Sequence, residues 1–216
     1  MTRSLTAGST MLFIGDSITD CGRDRDDPAS LGAGYAAMAA GLHAARRPGQ
    51  RIQFVNRGIG GDRVVDLRAR WKRDCLALSP DTVSVLVGIN DVWRRYEGDD
   101  PTTVEDFEED YRFILGEAAA HGARLLLIEP FLLPARPELW TRREDLDPKI
   151  SAVRRLAYEF GAALVPADGL LAQAVADSDV QEWSSDGVLH LTPAGHALLA
   201  QAWLAAAKLD TAERAR

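Results

Sequence analysis

Five short aliphatic runs alternate with longer amphipathic stretches, and this alternation constrains the fold more than any other feature of the chain. The runs are Met11–Ile14, Ile52–Asn56, Thr82–Val87, Arg124–Glu129 and Ala163–Pro166, each bounded by Gly, Pro, Asn or Asp. Runs of this length that are mainly β-branched or aliphatic predict strands buried on both faces. Between them, helices are predicted over Tyr35–Ala45, Val64–Leu78, Val104–Ala120, Pro148–Phe160 and Pro193–Lys208. Thr192 offers an N-cap with Pro193 at the first helical position, and His121-Gly122 stops the third helix. A strand–helix alternation of this kind predicts an α/β protein, a mostly parallel sheet with helices on both faces. In such sheets ligands bind outside the carboxyl ends of the strands, so the residues that follow each strand carry the functional information.

Composition narrows the class of function. The 216 residues are enough for one well-buried core, which predicts a single domain over 1–216 with its core at about 11–208. A net charge of −7 with scattered Arg and Lys argues against a nucleic-acid partner. No run approaches the ~18 apolar residues of a membrane helix. The opening MTRSLTAGST lacks an apolar secretory core, so a cytoplasmic protein is expected. Cys21 and Cys75 have no metal or CxxC spacing and are expected as free thiols rather than a pair. The irregular stretch Glu129–Asp147, with three prolines, is the candidate lid or partner contact.

The strand ends hold a distinctive set of residues. Gly15-Asp16-Ser17 follows the first strand, Asn56-Arg57-Gly58-Ile59-Gly60-Gly61-Asp62 the second and Gly88-Ile89-Asn90-Asp91 the third. Asp186-Gly187-Val188-Leu189-His190 precedes the final helix. Acyl-ester chemistry needs a hydroxyl nucleophile, an imidazole base, a carboxylate to orient it and donors for the oxyanion. Ser17, His190, Asp186, the Gly61 amide and the Asn90 side chain supply one of each. Taken singly, each residue has a plainer reading. Asp16 and Ser17 could cap a helix, Asn90-Asp91 could be a capping pair, and His190 could be a loop histidine. His43, His121 and His196 fit structural or surface roles better than catalytic ones. A phosphate cradle fits poorly, because Asp16 and Asp62 stand where a phosphate would arrive and neither GxxxxGK[ST] nor GxGxxG is present. Metal-assisted hydrolysis lacks a histidine pair, so no metal and no cofactor are expected.

Four blocks, GDSITD (15–20), NRGIGGD (56–62), GINDVW (88–93) and DGVLHLTPAGH (186–196), occur in the order that marks the SGNH hydrolases, or GDSL esterases. The chain resembles that family from roughly Met11 to Lys208, and most resembles its bacterial acetylxylan and carbohydrate acetyl esterases. LGAGY (31–35), RVVDLRARW (63–71) and the IEPF run (128–131) extend the likeness. The resemblance implies a three-layer α/β/α sandwich with a flavodoxin-like five-stranded parallel sheet. It implies Ser17 as nucleophile and His190 as general base, with the Ser17 and Gly61 amides and the Asn90 side chain forming the oxyanion hole. A homo-oligomer is also implied. Where the family places its acid three residues before the histidine, here Asp186 and His190 are four apart, with Leu189 between. Either a small bulge lets Asp186 reach the imidazole, or the acid's part is weakened.

The expected reaction is therefore hydrolysis of a small-molecule ester through an acyl-Ser17 intermediate, the substrate being a short-chain, acetylated sugar. Asp16 is expected to hold the loop beside the nucleophile and to contact substrate. Trp93, close to Asn90 with Arg94 and Tyr96, is expected to shorten the acyl pocket or else to pack beneath the site. Trp140 and Trp183 offer faces for a sugar ring. A lipase- or thioesterase-type acyl hydrolase is the alternative within the family, and a non-catalytic carbohydrate-binding protein the alternative outside enzymes.

Overall fold

The computed structural model describes residues 8–98, 100–133 and 136–209. The polar opening stretch at 1–7 and Pro134 of the proline-rich connection lie outside the described residues. Strands β1 (Thr10–Gly15), β2 (Gln53–Asn56), β3 (Thr82–Leu86), β4 (Arg124–Ile128) and β5 (Ala163–Val165) pair in the order β2-β1-β3-β4-β5. Every pairing is parallel, with Gly15 opposite Leu86 and Phe13 opposite Asn56. The chain order reverses between β1 and β3, and the crevice beyond that pair is where such a sheet binds its ligand.

Helices α1 (Ser17–Asp20), α2 (Tyr35–Arg46), α3 (Val64–Asp74), α4 (Ile89–Glu97) and α5 (Val104–Ala120) occupy the first half. α6 (Arg143–Glu159), α7 (Ala167–Ala176), α8 (Val180–Trp183) and α9 (Pro193–Ala207) complete the chain. Residues on β1 alternate between two apolar layers because successive side chains leave a strand on opposite faces. Met11 and Phe13 pack with Tyr35 and Ala39 of α2 and with Leu199, Trp203 and Leu204 of α9. Leu12 and Ile14 pack with Leu67 and Trp71 of α3 and with Phe107, Tyr111 and Ile114 of α5. α9 docks on α2, and the buried Trp203 indole N–H donates to Ser84 Oγ on β3 (2.8 Å).

One expectation from the sequence needs correcting. α6 begins at Arg143, not at Pro148, which sits inside the helix. Proline there removes one backbone donor, while Asp145 and Leu146 are already buried and the Lys149 ammonium reaches Asp145 Oδ2 (2.8 Å) across one turn. The proline-rich connection is buried at its start and exposed further on, where Arg136, Pro137, Glu138, Trp140 and Thr141 face solvent. Phe131, Leu132 and Leu133 are buried, and a 3₁₀ turn over Pro137–Arg142 leads directly into α6. Among the described residues no helix is long and apolar enough to cross a membrane.

Candidate active site

Ser17 opens α1 directly after β1. Asp16 caps that turn, its Oδ1 accepting the Ile18 N–H (3.0 Å), and Asp16 N–H bonds Leu86 O across the sheet (3.3 Å). Asp16 is fully buried, so it cannot touch substrate as expected from the sequence; it holds the turn. Burial, with lesser contributions from Asp91 and Asp62, pushes its carboxyl up to about 7. Ser17 itself is half-buried and reaches the surface of a cleft of about 300 Å³. Ile18, Cys21, His190, Leu191 and His196 line this cleft with it.

The loop after β2 is bonded onto the turn that carries Ser17. Asn56 Nδ2 donates to Thr19 O (2.7 Å) and Leu31 O (2.9 Å), while its Oδ1 accepts the Gly58 N–H (2.8 Å). A Cβ on Gly58 would lie 2.3 Å from Asp20 N, so only glycine lets the two segments approach. One residue pair later the loop still touches the turn, a Cβ on Gly60 falling 3.7 Å from Ser17 Cβ. Among the described residues the amides of Ser17 and Gly61 donate to no other group. Asn90, in the first turn of α4, gives one Nδ2 hydrogen to Asp62 O (2.9 Å) and keeps its second free. Asp91, buried beside it, accepts the Val64 N–H (3.3 Å), which ties α4 to the start of α3.

The loop that carries Asp186 and His190 comes from the far end of the chain. His190 Nε2 lies 3.4 Å from Ser17 Oγ, a loose contact of the kind that tightens when substrate binds. His190 Nδ1 lies 2.7 Å from Asp186 Oδ2, so the network assigns the ring proton to Nδ1 and leaves Nε2 as the acceptor. The four-residue spacing is closed by a tight turn in which Gly187 takes φ +70°. Asp186 Oδ1 accepts N–H groups from Val188 (2.8 Å), Leu189 (2.9 Å) and His190 (3.2 Å) and the Ser184 hydroxyl (2.9 Å). Burial pushes the Asp186 carboxyl up, but those donors and the imidazole outweigh it and hold it at about 2. Leu189 turns its side chain into the core, which gives the extra residue a place to go.

Several contributors escaped sequence reasoning. Arg70, buried on α3, donates to Gly15 O (3.2 Å), Arg57 O (2.8 Å) and Asp62 Oδ2 (2.7 Å), clamping the ends of β1 and β2 together. Ser184 was legible in principle, because Ser-Ser-Asp ahead of a glycine is a turn signature. Leu133 N–H donates to Val188 O (2.9 Å) and Arg136 to Asp186 O (3.1 Å), so the proline-rich connection braces the loop of Asp186 and His190.

Other candidates fall elsewhere. Trp93 is absent from the cleft beside Ser17; the Arg142 guanidinium covers its ring at 4.0 Å and pairs with Glu97 (2.9 Å). The Trp183 indole N–H is tied to Ser178 Oγ (2.6 Å), whereas Trp140 is exposed. Cys21 and Cys75 are free thiols. His196 Nδ1 accepts the Tyr35 N–H (3.2 Å), and burial, with His190 adding to it, draws its imidazole down to about 4. His43 and His121 bond backbone carbonyls of Gln50 and Glu117. Among the described residues no group of three or more His, Cys, Asp or Glu is arranged to hold a metal.

Residues 13–198 match the model of the GDSL-like Lipase/Acylhydrolase family. The chain belongs to that family. It is 35% identical over 206 residues to an acetylxylan esterase of Geobacillus stearothermophilus, covering 92% of this chain and 93% of the relative. A solved catalytic mutant of an acetylxylan esterase from the same organism, with a serine replaced by alanine, superposes with TM-score 0.90 at 32% identity. It covers 99% of this chain and 100% of that one, and so does a second catalytic mutant in which an aspartate is replaced by alanine. A putative GDSL-like lipase from Parabacteroides merdae superposes with TM-score 0.89 at 34% identity, covering 95% and 98%. The family likeness and the fold were both expected from the four sequence blocks.

Proposed function

We propose that this family member is a serine esterase that removes acetyl groups from carbohydrates, with Ser17 as nucleophile, His190 as general base and Asp186 orienting the imidazole. The relay from Asp186 Oδ2 through His190 to Ser17 Oγ carries the reading. His190 takes the Ser17 proton as Oγ attacks the ester carbonyl. The oxyanion collects at the Ser17 and Gly61 amides and the free Asn90 N–H. His190 then hands the proton to the departing sugar oxygen as its bond to the acyl carbon breaks, and the acetyl-Ser17 ester is cleared by a water that His190 activates.

The acetyl and sugar assignments draw their support from the acetylxylan esterase relative, which is similar over nearly its whole length. Trp140 is the exposed indole that a sugar ring could stack on. A homo-oligomer and a cytoplasmic setting, which favours short oligosaccharides over polymer, complete the proposal; light scattering and cell fractionation test them. The deciding experiment compares acetylated xylo-oligosaccharides with nitrophenyl esters of rising chain length, wild type beside Ser17→Ala. Ser17→Ala should lose about 10⁶-fold. Preference for octanoyl over acetyl esters would replace the acetyl assignment with a lipase or thioesterase reading.

A further inference from the structure

Asp20 stands on the same turn as Ser17, yet its carboxylate is bonded away from that turn. Oδ2 accepts the N–H of Gly60 (3.0 Å), the residue immediately before Gly61. The side chain is only 12% exposed and lines the cleft beside Ser17. A buried negative charge next to a developing oxyanion is unfavourable unless it is balanced. Two arginines balance it: Arg25 pairs with Oδ2, and Arg23 Nε lies 4.0 Å from Oδ1. Arg23 also donates through Nη2 to Gly58 O (2.9 Å), which holds the same loop from its other end.

On the far side of Gly61 the loop is held through Asp62, whose carbonyl accepts from Asn90 Nδ2 (2.9 Å) and whose Oδ2 accepts from Arg70 (2.7 Å). Ile59 N–H reaches Gly15 O (3.0 Å) and Asp62 N–H reaches Ile59 O (3.2 Å). Between those two bonds, Asp20 supplies the hydrogen bond that joins the loop to the nucleophile's own helix. Gly60 has no side chain of its own to pack, so its position depends on backbone contacts.

We propose that Asp20 is a positioning residue: by accepting the Gly60 N–H it fixes the distance between Ser17 and the Gly61 amide. The inference rests on the esterase reading, in which the Gly61 amide faces the oxyanion. Because that contact strengthens only in the transition state, disturbing it lowers kcat and leaves KM nearly unchanged. A carboxylate that held the sugar directly would show the opposite split.

The test measures kcat and KM with nitrophenyl acetate for Asp20→Ala, Asp20→Asn and Arg25→Gln. Asp20→Ala should lower kcat roughly 10- to 100-fold, the scale of a misplaced rather than a deleted group, with KM moving less than about threefold. Asp20→Asn keeps an acceptor oxygen for Gly60 and should recover kcat to within about fivefold of wild type. Arg25→Gln leaves the Gly60 bond in place and should cost less than about threefold. If Asp20→Ala does not fold, Asp20→Ser, whose hydroxyl stops short of Gly60, replaces it. A loss confined to KM, or Asp20→Asn as impaired as Asp20→Ala, overturns the Asp20 assignment alone. Unchanged hydrolysis in Ser17→Ala overturns the esterase reading and this inference together.

Discussion

The two halves of the proposed catalytic relay are built in different ways. The turn that carries Ser17 is braced from all sides by distant chain: Leu86, Asn56, Gly58 and Arg70 each bond or abut it. The loop that carries Asp186 and His190 is more open, with these side chains 36% and 54% exposed, and it draws most of its order from within. Four of its own donors converge on one oxygen of Asp186. The first arrangement has no room for an added atom, as the Gly58 approach shows. The second absorbs a whole extra residue, because a local turn can lengthen without moving the sheet. Tolerance to insertion thus follows the range of the supporting contacts, even between partners in one reaction.

Substitutions can break this contrast at either end. Asp186→Asn should cost about 10⁴-fold in kcat by permitting the wrong imidazole tautomer. Since the Asp186 carboxyl is held at about 2, it stays ionised at any ordinary assay pH, and the deficit should persist wherever the imidazole base is unprotonated. An Asp186→Asn variant as active as wild type would show that the carboxylate does not orient His190. Asn90→Ala should lower kcat ~10²–10³-fold, as loss of one oxyanion donor does elsewhere. Gly187→Ala should strain the left-handed turn by about 1–2 kcal/mol, yet lower kcat only a few-fold because the loop can readjust. A collapse of activity there would mean that the loop is as rigid as the nucleophile's turn.

The smallest effect concerns stability. Burial raises the Asp16 carboxyl to about 7, above its unfolded value of ~3.9, so the folded protein binds more protons between those limits. Stability therefore falls as pH rises across that window and levels off above it. Asp16→Asn still accepts the Ile18 N–H but cannot ionise, so Tm should decline less between pH 4 and 7. Some slope should persist, because burial pushes Asp91 to about 7 as well. Parallel melting curves for wild type and variant would separate Asp16 from that pH dependence.

The sheet was legible because each strand is an apolar run cut off by a turn residue, and the observed ends fall within a residue or so of the expected ones. α4 and α7 were harder to see. α4 starts inside the GINDVW block with polar residues, and α7 follows β5 with no side-chain cap. The start of α6 was hidden because Pro148 resembles a first-turn proline. At the site, Ser17, Asn90 and Gly61 were legible because parallel topology brings the strand ends to one edge. The burial of Asp16, the Arg70 clamp and the cover over Trp93 were not, since each depends on partners far away in sequence.

The contact between Ser17 and His190 spans 173 residues, and α9, which follows the histidine, seats on α2 and on Ser84 of the central strand. Ester hydrolysis is therefore a reporter of closure between the first strand and the last helix. During refolding, recovery of activity times the docking of α9. The burial of Trp71 belongs to the opposite layer and can return earlier, when only β1, β3, α3 and α5 have met.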